Sequence, residues 1–283
     1  MTTSSPTTAR GPGDVLTATA PRRHPLSALP GWVLSSCLAL LLLGAWEAVV
    51  RVFSISPLLV PAPTAVAQAL IAGLADGTLL AHTWVTLQEI LLGFAVAVVA
   101  AMVLAFLVTQ SRLVDKAFFP LVVTTQTIPK VAIAPLLLIW FGTGMTSKVV
   151  TTALLVFFPL LVNAILGLRA TDPEQITMFR SFGATRWQIF RKLQVPTALP
   201  SIFAGFDLGV VFAVTGAVVA EFVGSTEGLG YVIQATNFTL DVATTFAVLV
   251  MLSVIGLVLH ALVVGIGRRV VFWSAEERSG AER

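Results

Sequence analysis

Six long apolar runs alternate with shorter polar stretches along the chain, at 32–50, 87–108, 118–141, 149–168, 198–223 and 244–267. Each is close to the ~20 residues that a helix needs to cross a hydrocarbon layer. The pattern predicts an all-α polytopic membrane protein with six transmembrane helices. Pro120, Pro129 and Pro135 interrupt the third run. Proline removes backbone hydrogen bonds, which a membrane tolerates only where protein or water replaces them. Broken spans often border a transport path, although a kinked packing helix reads the same way. The fifth run carries Gly205-x-x-x-Gly209, a close-packing pattern of membrane helices. Between the runs, 51–84 reads as a polar loop with one short amphipathic helix over 64–74. Residues 111–116 read as a basic turn, and 224–243 as a loop with glycine hinges.

Residues 171–200, TDPEQITMFRSFGATRWQIFRKLQVPTALP, form the one long polar segment between two long apolar ones. Arg180, Arg186, Arg191 and Lys192 stand against Asp172 and Glu174, with Ile176, Phe179, Phe182, Trp187, Ile189, Phe190 and Leu193 threaded between them. Two short amphipathic helices fit, broken at Gly183, with Asp172 as N-cap and Pro173 at N1 of the first. A surface gripped by another protein has this composition. So does a cytoplasmic loop lying on lipid headgroups.

Composition confirms the membrane reading: 57% of the 283 residues are hydrophobic and 11% charged, with a mean hydropathy of +0.93. Soluble domains carry about 25% charged residues. The net charge of +3 is set by where the basic residues fall. With the N-terminus inside, 14 of the 17 Lys and Arg lie on the cytoplasmic side, Arg51 and Lys148 lie outside, and Lys130 sits within a span. Both termini are then cytoplasmic, and no nucleic-acid partner is implied. Cys37 is the single cysteine, so neither a disulfide framework nor a cysteine-rich metal site is expected. His24, His82 and His260 are far apart. Residues 1–30 read as a disordered cytoplasmic tail, 31–273 as the six-span domain containing the 171–197 loop, and 274–283 as a cytoplasmic C-terminal tail. Arg22-Arg23 before an apolar run resembles a signal peptide, but run 32–50 is too long for one and lacks a small-residue cleavage site.

Ionisable groups at membrane depth are costly and face a cavity or a partner. Lys130, Asp207 and Glu221, together with Gln126 in a Thr-rich stripe, are the candidates for a translocation path. Lys130 also reads as a side chain snorkelling to the cytoplasmic face, Asp207, a third of the way into the fifth run, as a cap or pair near the inner interface, and Glu221 as a headgroup-level carboxylate. Glu89 and Glu47 are expected in the interface. No phosphate-binding loop, GxSxG elbow, HExxH or CxxC is present. The chain is therefore read as non-enzymatic, with no catalytic residue, metal or cofactor of its own.

The loop has a further feature. Gly183 is followed, after nine intervening residues, by Leu193-Gln194-Val195-Pro196, which resembles the second half of the cytoplasmic loop of ABC-importer permeases. Thr177, Met178 and Phe179 stand where that family carries E-A-A. The segments at 87–94, 126–148, 157–163, 180–196 and 221–230 extend the resemblance to the nitrate/sulfonate/taurine-type permeases. The resemblance implies a type I permease fold in the plasma membrane of a bacterium, acting as a homodimer with separate ATPase subunits that bind ATP and Mg, and with an external solute-binding protein. It places ATPase docking on Phe179, Arg180, Phe182, Gly183, Ala184, Thr185 and Trp187. The solute it implies is small and anionic or polar, such as a sulfonate, taurine or nitrate. A pyrimidine thiamine precursor or riboflavin is the alternative. A self-sufficient secondary transporter is less favoured, since only one span is broken.

Overall fold

The computed structural model describes residues 31–110 and 112–273, and the regular elements among them are helical. They run in the order α1 (Gly31–Val52), α2 (Pro63–Ala75), α3 (Thr78–Gln110) and α4 (Arg112–Gln126). A 3-10 turn, Lys130–Ile133, leads into α5 (Ala134–Phe141). Next come α6 (Met145–Arg169), α7 (Pro173–Ser181) and α8 (Arg186–Ile189). A π-helical turn, Phe190–Gln194, joins α8 to α9 (Val195–Gly224), and α10 (Leu229–Thr239) and α11 (Val242–Val270) follow.

Among the described residues, five segments are long and apolar enough to cross a membrane: Val33–Val52, Thr78–Gln110, Met145–Arg169, Arg186–Gly224 and Val242–Val270. They cover every predicted run except the third. That run is assembled from the end of α4, the 3-10 turn and α5. The Thr127 and Ile128 amides reach only the carbonyls of Thr124 and Thr125, at 3.2 and 3.4 Å, and Pro129 is extended. Pro135 falls in the first turn of α5, where its missing donor is harmless.

Three expectations change. The polar stretch before residue 87 is the start of α3, which begins at Thr78. Residues 112–116 belong to α4 rather than to a turn. The supposed loop 224–243 contains the eleven-residue α10, whose Leu229 and Ile233 are buried. Burial of that apolar face stabilises a helix too short to persist alone.

The chain divides into two units, Met1–Trp46 and Glu47–Arg283. The described part of the first is helix with largely exposed leucines. In the second, α6 is central and packs on α3 and α9. Its Thr152, Val156, Leu160, Leu161, Ala164 and Ile165 are buried. Small residues allow the close approach: a Cβ on Gly216 of α9 would lie 2.9 Å from the Thr152 backbone, and one on Gly205 2.8 Å from Asn163. The Gly205/Gly209 pair therefore packs within this chain, against α6. Tight backbone contact is what holds membrane helices together where lipid is as apolar as the side chains.

Candidate functional site

The segment between α6 and α9 is shaped by its own caps. Asp172 accepts the Glu174 amide at 2.8 Å and Pro173 starts α7. α7 ends in a Schellman turn: the Gly183 amide donates to Arg180 O at 2.9 Å, and the Ala184 amide to Phe179 O at 3.1 Å. Gly183 has φ +77°, the left-handed conformation that favours glycine. Thr185 then opens α8 in a capping box. It accepts the Gln188 amide at 3.3 Å, while its own amide donates to Gln188 Oε1 at 2.8 Å. The Thr185-x-x-Gln188 spacing is a readable signal that the two-helix expectation did not use.

This turn has two faces. On one, Phe182 is 81% exposed and Met178 half exposed. With Phe179, Gly183, Ala184, Gln188 and Lys192 they line an open cavity of about 490 Å³. On the other, Arg180 and Arg186 line a polar cavity of about 550 Å³ with Thr109 and Gln110 at the end of α3 and with Gln194. Trp187 stacks on Phe190 with ring centroids 5.5 Å apart, and both meet Phe106 of α3 edge-on at 6.2 and 4.8 Å. This aromatic trio, and the continuous path from α8 to α9, tie the turn to two spans.

At the far end of α6 and α9 lies a second polar group. Glu89 and Glu221 are fully buried and Lys148 nearly so. Lys148 Nζ lies 2.7 Å from Glu89 Oε1. Thr86 donates to Glu221 Oε1 at 2.7 Å and accepts the Leu229 amide at 2.8 Å. The Gly230 amide donates to Glu221 Oε2, and the Gly228 amide to His82 Nδ1 at 3.0 Å. Three successive amides, of Gly228, Leu229 and Gly230, thus pin the start of α10 to α3 and α9. Gly228, at φ +105°, and Gly230 are required because any Cβ there would run into the Glu221 carboxylate. Glu89, expected at the interface, and Lys148, counted among the outer charges, are both enclosed by protein. Each charge leaves water because the other neutralises it. Neither partner could be found from sequence, since nothing local links residue 89 to 148.

The path candidates separate. Lys130 lies 4.8 Å from the Phe158 ring centroid, beside a cavity of about 360 Å³ lined also by Phe212 and Thr215. Asp207 pairs with His260 of α11, a partner that sequence reasoning missed. Glu221 is enclosed in the buried group. The side chain of Gln126 is outside the described residues. No group of three potential metal ligands occurs among the described residues.

Comparison with known proteins agrees with this architecture. The profile of the binding-protein-dependent transport system inner membrane component family matches residues 93–272. The riboflavin transport system permease protein of Chloroflexus aurantiacus is 37% identical over 236 residues, covering 83% of this chain and 88% of that one. The formylaminopyrimidine transport permease protein of Halalkalibacterium halodurans is 37% identical over 218 residues, covering 77% and 86%. The taurine transport system permease protein of Escherichia coli is 30% identical over 240 residues, covering 83% and 87%.

Proposed function

The chain belongs to the family of binding-protein-dependent inner membrane components, the permease subunits of ABC importers, and on that premise we propose that its 171–197 loop is the grip of a partner ATPase. The chain itself is the non-catalytic membrane component. The observation that carries the docking site is Phe182, a large apolar side chain 81% exposed on a rigidly capped turn. A side chain of that kind gains most by entering a groove on another protein. Phe179, Gly183, Ala184, Thr185, Arg180 and Trp187 build or flank that turn.

The distribution of basic residues supports a cytoplasmic loop and cytoplasmic termini, with α10 and the 51–77 region outside, where a loaded binding protein arrives. Two copies of the permease enclose the path. ATP closes the paired ATPases, the loop moves, and α9 and α3 follow through Phe190 and Phe106. Transport is then a two-state equilibrium biased from both sides of the membrane.

For the solute we favour a planar nitrogen heterocycle of the riboflavin or pyrimidine kind. The relatives named for such solutes are 37% identical, against 30% for the taurine permease. A sulfonate, such as zwitterionic taurine or an anionic alkanesulfonate, is the second reading, motivated by Lys130 beside its cavity. Proteoliposomes holding the permease, its ATPase and its binding protein decide the matter. ATP-dependent uptake of riboflavin or formylaminopyrimidine in preference to taurine is the expected result. Taurine uptake alone would reverse the order of the two readings, and failure of any ATPase to co-purify would remove the docking assignment. A cysteine at Ser181 in a Cys37→Ala background, reached by an impermeant thiol reagent only in inside-out vesicles, is the expected mark of the orientation.

A further inference from the structure

Asp207 and His260 are the only ionisable side chains in the central stretches of α9 and α11, whose other ionisable residues are Glu221, Arg268 and Arg269 near their ends. At about 1.5 Å per residue, each lies within about 6 Å of the midpoint of its helix. Residues 53 apart in sequence, one per helix, have found each other near the middles of two membrane-spanning helices, a stretch where charge is costly. Yet the pair is not sealed: the side chains keep 39% and 48% of their exposure. The buried Glu89–Lys148 pair shows how this chain treats charges that serve only to hold helices together, by closing them off completely. A half-open pair near the helix midpoints cannot face hydrocarbon without a large penalty, so in a membrane it needs water, a solute or a second copy of the chain beside it.

Its surroundings are aromatic. Phe203 lies one helical turn before Asp207, with Phe206 next to it in an edge-on contact at 5.4 Å, and Phe206 meets Phe94 of α3 at 6.0 Å. Val211, one turn beyond Asp207, is exposed on α9. A carboxylate acceptor and an imidazole beside flat apolar rings suit a planar molecule with N–H groups along its edge. They do not suit an anion, which the carboxylate repels.

We propose that the Asp207–His260 pair is a solute contact point facing the translocation path, and that it takes an uncharged or cationic, N–H-bearing heterocycle in preference to an anion. This rests on the importer reading and narrows its solute class. His260 becomes a specificity residue of transport, and Asp207 orients it and supplies the acceptor.

The test is charge-selective labelling of a cysteine at Val211 in a Cys37→Ala background, in permeabilised membranes holding the whole complex. A cationic methanethiosulfonate, its anionic sulfonate counterpart and a membrane-permeant maleimide are the probes. The expected outcome is reaction with both water-soluble reagents, the cationic one about tenfold faster, as a local carboxylate concentrates cations. The ratio falls to near one in Asp207→Asn and stays high in His260→Gln, which keeps the carboxylate if the first variant folds poorly. Reaction with the maleimide alone would place the face in lipid and overturn the proposal. An anionic reagent as fast as the cationic one would do the same, and so would a cysteine that reacts with none of the three but cross-links to a second copy. Failure of the importer reading shows separately: labelling would keep its charge ratio but would not change when ATP and vanadate trap the complex.

Discussion

At the loop end, the bonds that shape the chain join close neighbours: Thr185 and Gln188 are three residues apart, and the apolar Phe182 stands out in solvent. At the far end, Thr86 and Glu221 are 135 residues apart, and Glu89 and Glu221 are sealed from solvent altogether. One region is built locally and left open. The other is built from distant segments and closed. The difference suits the docking role proposed for the loop. A docking surface has to keep its shape without its partner, so its geometry comes from caps that need nothing else. The far end holds α10 against the spans, and its strength comes from contacts across the bundle.

The largest expected effect follows from the closed region. Lys148→Met leaves the Glu89 carboxylate buried without its cation, at a cost of about 3–5 kcal/mol. In detergent the variant should unfold at a much lower temperature than the parent. Adding Glu89→Gln should restore more than half of the loss, because a neutral amide needs no counter-charge. A single variant as stable as the parent would show that the pair contributes nothing to the fold.

A smaller effect is expected at the glycines. A Cβ on residue 230 would lie 2.8 Å from Glu221 Oε2, so Gly230→Val must push α10 off its seat. Overpacking of this kind costs about 1–3 kcal/mol. The loss should appear as proteolytic cleavage between residues 224 and 243 while the spans stay folded. Cleavage unchanged from the parent would mean that α10 is held by its apolar face alone.

These two regions also mark what the sequence could and could not reveal. Apolar periodicity located five spans, and the prolines predicted the break in the third. The loop was legible because Asp172-Pro173, Gly183 and the alternation of aromatic and basic residues are local signals, as Thr185-x-x-Gln188 also is. The buried group was illegible for the opposite reason. A lone Glu near a span end has the same pattern whether it sits in headgroups or pairs with a lysine from another helix. The same blindness hid His260, which looked like an isolated residue until α11 packed on α9 beside Asp207. α10 was missed because its glycine-rich start reads as a hinge, whereas those glycines make room for Glu221.

On the local side, Thr185→Ala removes the capping box and should cost about 1 kcal/mol. Amide exchange should quicken over 186–189 and leave the far end untouched. Thr185→Asn, another good N-cap, should restore protection. If exchange in α8 were unaltered, the aromatic trio of Phe106, Trp187 and Phe190 would be what holds the turn.

The smallest effect on the fold is expected at Phe182, and it is the sharpest test of the contrast. The side chain is 81% exposed, so Phe182→Asp removes almost no buried area. Exposed substitutions of this kind stay within about 0.5 kcal/mol, and the purified permease should melt at the parent's temperature. The same change places a charge where an apolar groove on the ATPase is proposed to close. Stimulated ATP hydrolysis by the complex should therefore fall about tenfold or more, with Phe182→Leu retaining most of it. Stability and coupling would then be separable on one residue, the reverse of Lys148→Met, where coupling is lost only because the fold is. If Phe182→Asp kept both its ATPase subunits and full stimulated turnover, the grip would have to lie elsewhere on the turn. Arg180 and Arg186, on the opposite face, would be the next residues to reverse in charge.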